Sequence, residues 1–127
     1  MLFRSGDIWA LAHRIDDLVR RARAGRLERD DMSGTPMMTL SNAGMHDVTW
    51  MTSIIPPGQA AILGVGSIRN VFRPDDAGHP VLARELGLVL SCDHRVFDGV
   101  SGLGLLNRIR AALRRPLSLL LPHLKEG

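Results

Sequence analysis

The stretch Asp93-His94-Arg95-Val96-Phe97-Asp98-Gly99 sets a histidine between two acidic residues and beside an arginine. It stands between residues 81–91, whose apolar run 86–90 is the candidate central strand, and a helical pattern that opens at Gly99. A chain presents a general base at the mouth of a buried sheet in this way. An imidazole titrates near pKa ~6.5, which suits it to removing a proton from a weak nucleophile at neutral pH. His94 is the candidate base, although a histidine taken alone reads equally as a satisfied surface or core residue.

Downstream, Leu103, Leu106, Ile109 or Arg110, and Leu113 fall on one helical stripe, and Pro116 ends it. Upstream, Pro74-Asp75-Asp76-Ala77-Gly78 reads as a hairpin connection and residues 60–65 as a short buried strand. Residues 49–55 alternate and carry β-branched side chains, so they read as a strand that Pro56-Pro57-Gly58 interrupts. Residues 37–41 look extended, and Asn42-Ala43-Gly44 is a turn. Further back, Ile8, Leu11, Ile15, Leu18 and Ala22 recur at helical spacing. They predict an amphipathic helix over residues 6–24, with Ser5 as its cap and Gly25 as its stop. A polar turn, 29–34, follows. The order helix, strands, helix predicts an α+β fold, with helices packed on a largely antiparallel or mixed sheet.

Length and composition narrow the classes. At 127 residues the chain is expected to be one domain with one core. It is 45% hydrophobic and 23% charged, ordinary for a soluble protein, and no apolar run is long enough to span a bilayer. The N-terminus lacks the apolar core of a signal peptide, so a cytoplasmic address is expected. The net charge is +3, and Lys125 is the only lysine. Arg14, Arg20, Arg21, Arg23, Arg26 and Arg29 are interleaved with Asp16, Asp17, Glu28, Asp30 and Asp31, and no aromatic platform accompanies them. A nucleic-acid partner is therefore not expected.

Cys92 is the only cysteine, so neither an internal disulfide nor a cysteine-based metal cluster is possible within the chain. Cys92 and His94 are two apart and would share a face of an extended strand. Cys92 thus has two readings, a nucleophile or a small apolar residue packed under the strand end. His13, His46, His79 and His123 have no metal-ligand spacing, and no metal is expected. Gly64-Val65-Gly66 lacks the rest of a dinucleotide fingerprint. Met37, Met38 and Met45 read as core or pocket lining, and the apolar tail 117–121 as either core closure or a subunit contact.

The pattern Asp-His-Arg-x-x-Asp-Gly at 93–99 resembles the active-site signature of the dihydrolipoyl acyltransferase component of 2-oxo acid dehydrogenase complexes. That family shares its fold with chloramphenicol acetyltransferase. The resemblance extends over most of the chain. Residues 44–66, above all Gln59-Ala60-Ala61-Ile62-Leu63-Gly64-Val65-Gly66, look like a family segment, and Thr39-Leu40-Ser41-Asn42 resembles a strand end that carries an oxyanion-stabilising serine. The helix from Gly6 through Leu27 resembles the helix before that strand. The resemblance implies a chloramphenicol acetyltransferase-like half-domain over residues 1–127, corresponding to the C-terminal half of the catalytic domain. It includes neither a lipoyl domain nor a peripheral subunit-binding domain, and Lys125 is unsuited to lipoyl attachment.

The resemblance further implies acyl transfer from coenzyme A, or from a carrier-protein thioester, to a thiol or hydroxyl acceptor. His94 is the implied base and Ser41 the implied oxyanion donor, although Ser41 equally reads as a turn-initiating residue. Asp98 is implied to hold the active-site loop through Arg95 and to orient His94, and it also reads as a helix N-terminal acid. Gly99 would let the chain turn tightly into the helix. Asn42 and Met45 are expected to contact substrate. Asp93 reads as a strand-end turn residue without a catalytic role. In the family the serine and histidine of one site come from neighbouring subunits, which implies a homotrimer or larger homo-oligomer. Asp47, Thr49 and Gly58 depart from the family pattern on the substrate side.

A standalone biosynthetic acyltransferase is the leading expectation. A repurposed pocket for proton transfer, elimination or cyclisation is the second. A non-catalytic half of a split domain, completed by a partner chain, is the third.

Overall fold

The computed structural model describes residues 8–34 and 36–117. Two compact units divide the chain. One is Met37–Gly102, and the other combines Met1–Pro36 with Leu103–Gly127. The proposed cap Ser5, the helix start at Gly6, His123, Lys125 and tail positions 118–121 lie outside the described residues.

The unit Met37–Gly102 holds a three-stranded mixed sheet in the order β1-β2-β3. Strand β1 is Met38–Asn42, β2 is Ala61–Pro74 and β3 is Pro80–Cys92. β1 runs parallel to β2, with Ser41 opposite Gly64, and β2 runs antiparallel to β3, with Gly64 opposite Val89. Ala61, Ile62 and Leu63 at the start of β2 are the buried apolar core among the described residues. Burying a side chain the size of Ile62 or Leu63 stabilises by about 1.5–3 kcal/mol. β2 is therefore the central strand. The run 86–90, expected to be central, sits on β3, with Leu86 exposed and residues 87–90 half-buried, and no described strand pairs with its outer edge.

The β2–β3 connection is the expected hairpin. The Asp75 carboxylate accepts the N–H groups of Ala77 (2.9 Å) and His79 (2.8 Å), and Gly78 takes φ +85°. An aspartate side chain that bonds its own backbone two residues on is a strong turn former. The ladder slips between Val65 and Ile68, where β2 carries one more residue than β3. This is a β-bulge at Gly66-Ser67.

Residues 49–55 do not form a strand. Gly64, Gly66 and Gly87 leave a trough on the sheet, and the backbone of residues 48–51 lies in it. Ser67 N–H donates to the Val48 carbonyl at 2.7 Å in place of ladder pairing.

In the other unit, α1 spans Ile8–Arg23. It ends as its sequence predicts. Gly25 takes φ +65°, Arg26 N–H bonds Arg21 O at 2.8 Å and Gly25 N–H bonds Ala22 O at 3.1 Å. Both bonds belong to the Schellman motif, which a left-handed glycine completes. A 3-10 turn, Arg29–Met32, occupies the expected polar turn. Asp17 pairs with Arg20 and Arg21, and Asp31 also pairs with Arg21, so two arginines of the basic cluster are neutralised locally. Helix α2, Gly99–Arg114, begins in the sheet-bearing unit and ends in this one. Its less exposed stripe is Leu105, Leu106, Ile109 and Ala112, whereas Leu103 and Leu113 of the expected stripe are exposed. Leu117, the one described residue of the apolar tail, is exposed as well.

Candidate active site

Two groups of predicted residues lie on the sheet-bearing unit. The first is at the C-terminal end of β1. Thr39 and Ser41 share the more buried face of this strand. The Thr39 hydroxyl donates to Gln59 Oε1 at 2.6 Å. The Ser41 hydroxyl is half-buried and has no hydrogen-bond partner among the described residues. Its sheet neighbour Gly64 has no side chain. Asn42 Oδ1 accepts the Gly44 N–H at 2.8 Å and starts the 3-10 turn Gly44–His46. Ser41 therefore does not initiate that turn with its own side chain. Asn42 does. Asn42, Met45 and Asp47 line an open cleft of about 540 Å³ together with Val65, Ile68 and Leu86. Asp47 holds φ 56°, a left-handed backbone that aspartate tolerates better than most residues.

The second group is the loop after β3. Asp93 N–H donates to Ala60 O at 2.8 Å, which ties the loop to the chain just before β2. The Asp93 carbonyl accepts the N–H groups of both Val96 and Phe97 at 2.9 Å. Its carboxylate accepts the Arg95 N–H at 2.9 Å and grips the guanidinium through Nε (3.0 Å) and Nη2 (2.6 Å). The Arg95 guanidinium is the main cause that holds the Asp93 carboxyl down at about 2; the Arg95 backbone N–H adds to it. His94 projects from the middle of this turn, exposed and without a hydrogen-bond partner among the described residues.

Arg95 thus pairs with Asp93 and not with Asp98. An aspartate two residues before the arginine closes a tight turn, whereas Asp98 is committed to the helix. Asp98 accepts the Ser101 N–H at 2.7 Å and the Ser101 hydroxyl at 2.6 Å, which is N-cap geometry for α2. The Ser101 hydroxyl is the first cause that lowers the Asp98 carboxyl, and the neighbouring His94 contributes further down. The helix-acid reading of Asp98 holds, and its reading as partner of Arg95 does not. Gly99 has no positive φ and open space where a Cβ would stand, so the turn into α2 does not require glycine there. Asp93 is the strand-end turn residue expected from sequence, and what sequence reasoning missed is that it, and not Asp98, holds Arg95. The signal was an aspartate at the end of an apolar strand with a donor two positions on.

Ser41 and His94 do not meet within one chain. Ser41 is level with Gly64 and Val89, while Cys92 is level with Ala61 and Met38. Three residues along the strand and two strand spacings across separate the Ser41 and Cys92 backbones by about 14 Å. His94 lies two residues further on.

Cys92 is a free, half-buried thiol at the end of β3. A Cβ built on Gly102 would lie 3.3 Å from its sulfur, so the thiol packs against the first turns of α2. Among the described residues no group of three or more His, Cys, Asp or Glu side chains is placed to hold a metal ion, and no helix is long and apolar enough to cross a membrane.

Residues 4–121 match the family model for 2-oxoacid dehydrogenases acyltransferase (catalytic domain). The chain belongs to that acyltransferase family. A curated relative, the dihydrolipoyllysine-residue acetyltransferase component of the pyruvate dehydrogenase complex of Staphylococcus aureus, is 38% identical over 114 residues; these are 90% of this chain and 26% of the relative. Among solved structures, the Azotobacter vinelandii dihydrolipoamide acetyltransferase superposes with TM-score 0.79 at 30% identity, covering 92% of this chain and 47% of that one. That protein was studied for the role of a serine, a histidine and an asparagine, the last four positions after the histidine, in its catalytic mechanism. The cubic core of the pyruvate dehydrogenase multienzyme complex gives TM-score 0.76 at 31% identity, covering 88% of this chain and 45% of that one. The acyltransferase-family chain described here thus spans about a quarter of the curated relative and about half of each solved chain.

Proposed function

We propose that this chain forms part of an acyl-transfer site that moves an acetyl group between coenzyme A and a thiol, and that a second copy completes the site. The observation that carries this reading is the placement of Ser41 and His94. Each has an uncommitted side chain, and about 14 Å or more of sheet separates their backbones. Two copies side by side can bring the serine of one to the histidine of the other.

The chemistry follows from the two groups. His94 accepts the proton of the attacking thiol. The sulfur then bonds to the thioester carbonyl carbon, and the carbonyl electron pair moves onto oxygen. The Ser41 hydroxyl donates a hydrogen bond to that oxyanion, a contact worth about 2.7–4 kcal/mol when lost from such a site. Collapse breaks the carbon–sulfur bond to coenzyme A, whose sulfur takes back the proton from His94. Asn42 and Met45, which line the cleft beside Ser41, would contact the substrate.

The relatives are acetyltransferases of the pyruvate dehydrogenase complex. Their names support a dihydrolipoyl thiol as the acceptor, carried on a separate domain or chain, over the biosynthetic acceptor expected from sequence. They lend nothing to elimination or cyclisation. The exposed apolar surface, with Trp50, Ile54 and Phe72 all open to solvent, supports a homotrimer or larger assembly.

The test is complementation. Acetyl transfer from acetyl-coenzyme A to dihydrolipoamide is measured for the parent chain, Ser41→Ala, His94→Ala, and the two variants mixed after unfolding and refolding together. The reading expects each variant to lose about a hundredfold or more, and the mixture to regain a part of the parent rate through interfaces that join an intact Ser41 to an intact His94. A mixture no faster than its components, with an active parent, would place both residues in one chain or remove one of them from the site. An inactive parent that gains activity only with an added polypeptide would favour the split-domain reading.

A further inference from the structure

We propose that Asp93 is the positioning residue of His94, and that it acts through the Asx turn it forms with the Arg95 backbone more than through its ion pair with the Arg95 side chain. The inference rests on the reading of His94 as the base.

Among the described residues, the hydrogen bonds that hold the backbone of the turn carrying His94 all involve Asp93. Its N–H is bonded to Ala60 O, its carbonyl caps the N–H groups of Val96 and Phe97, and its carboxylate takes the N–H of Arg95. The histidine side chain has no hydrogen-bond partner among the described residues. Its place is therefore set by the backbone on either side of it. A general base works only within hydrogen-bond reach of its proton, and a displacement of about 1 Å can cost about a hundredfold in rate.

The carboxylate has two tasks that differ in weight. The ion pair is bidentate, but the Arg95 side chain is 87% exposed against 18% for Asp93. Water and salt screen such a pair strongly. The bond from Arg95 N–H to Asp93 Oδ1 instead fixes the dihedral angles that flank His94. Only a side chain as short as aspartate or asparagine reaches its own backbone two residues on. Asparagine keeps that acceptor and gives up the charge. Alanine gives up both. Truncating Arg95 gives up the ion pair alone.

Four variants separate these contributions: Asp93→Ala, Asp93→Asn, Arg95→Ala and His94→Ala. With acetyl-coenzyme A and dihydrolipoamide, Asp93→Ala is expected to lower kcat about ten- to a hundredfold with KM within about threefold. Asp93→Asn is expected to recover most of that loss, and Arg95→Ala to lose about threefold at most. Arg95→Ala as damaging as Asp93→Ala, or Asp93→Asn no better than Asp93→Ala, would overturn the assignment to the Asx turn. Amide hydrogen exchange at Arg95, Val96 and Phe97 supplies a readout that needs no catalysis and detects a variant that fails to fold. Exchange at least about tenfold faster than in the parent in folded Asp93→Ala, and near the parent rate in Asp93→Asn, supports the turn; protection unchanged in Asp93→Ala sinks it. Should His94→Ala transfer acetyl groups at the parent rate, the reading of His94 fails, and with it the positioning role, while the exchange data still report whether Asp93 builds the turn.

Discussion

Gly66 of β2 lies directly beneath the backbone carbonyl of Thr49. A Cβ on Gly66 would overlap that carbonyl and come within 2.9 Å of Val48 O. Gly87, across the sheet, meets the same Thr49 carbonyl, and a Cβ on Gly64 would stand 2.7 Å from Met51 O. Glycines in strands often mark such a close approach of another backbone. Here they let residues 48–51 cross the sheet next to the cleft that Asn42 and Met45 line.

Gly66→Ala forces that crossing segment off the sheet. The obstacle is backbone, which cannot swing away as the end of a side chain can. Overpacking of this kind costs about 1–3 kcal/mol and occasionally more. Urea unfolding should show a midpoint lowered accordingly. A midpoint equal to the parent would mean that the segment does not lie in the glycine trough.

Gly99→Ala should behave in the opposite way. The position opens α2 without positive φ and faces open space. Alanine is better than glycine in a helix by up to about 1 kcal/mol. The variant should unfold at the parent midpoint or slightly above it, and retain its loop. A clear loss of stability would restore the idea that the turn needs glycine.

Asp98 caps α2 through Ser101, so the cap and not the charge is the requirement. Asp98→Asn should keep both the helix and acetyl transfer, as an asparagine caps about as well. Asp98→Ala should lower the thermal midpoint by several degrees, read by circular dichroism. Equal midpoints for the two variants would show that the cap does not stabilise the helix.

Acid should destabilise the fold over a defined window. The carboxyls of Asp31, Asp93 and Asp98 are lowered from an ordinary value of 3.8, and that of Glu85 from 4.5, the first cause in each case being a side-chain hydrogen bond from Arg21, Arg95, Ser101 and Arg73 respectively. A carboxyl with a depressed folded-state pKa binds fewer protons folded than unfolded. Its contribution is complete above its ordinary value and is lost as pH falls through the folded value. Urea midpoints should be level from neutral pH to about 5 and then fall, with the Asp93 share lost toward about 2. Arg95→Gln should remove part of the slope at the acid end. A slope unaltered by that variant would contradict the Asp93–Arg95 pair.

Cys92 packs against α2 at Gly102 and has no place in the proposed proton path. Cys92→Ala should transfer acetyl groups within about twofold of the parent. Loss of more than about tenfold, in a folded variant, would revive the nucleophile.

The readable part of this fold is the part whose signals are short-range. The end of α1 at Gly25, the hairpin turn at Asp75 and the start of α2 after Asp98 each depend on contacts within a few residues. The apolar run 60–65 announces a buried strand for the same reason. The alternating run 49–55 misleads because alternation describes one side chain facing in and the next facing out, which an unpaired extended cover satisfies as well as a strand. Within the site, His94, Ser41, Asn42 and Met45 were legible as candidates from their motifs. The Arg95 partner was not, since Asp93 and Asp98 are both within reach of an arginine along the chain and only the closed turn chooses between them.

The sequence by itself determined the two helices, the hairpin turn at Asp75, the buried strand that starts near residue 60 and the family to which the chain belongs. These are fixed by local backbone preference and by motif. Tertiary structure decided that β2 is central, that β1 joins it in parallel, and that three glycines from two strands make room for Thr49. It also decided that Ser41 and His94 stand at different levels of the sheet. Such facts depend on register between segments remote in sequence, and a register is set by which faces can be buried together, a property that no single segment carries.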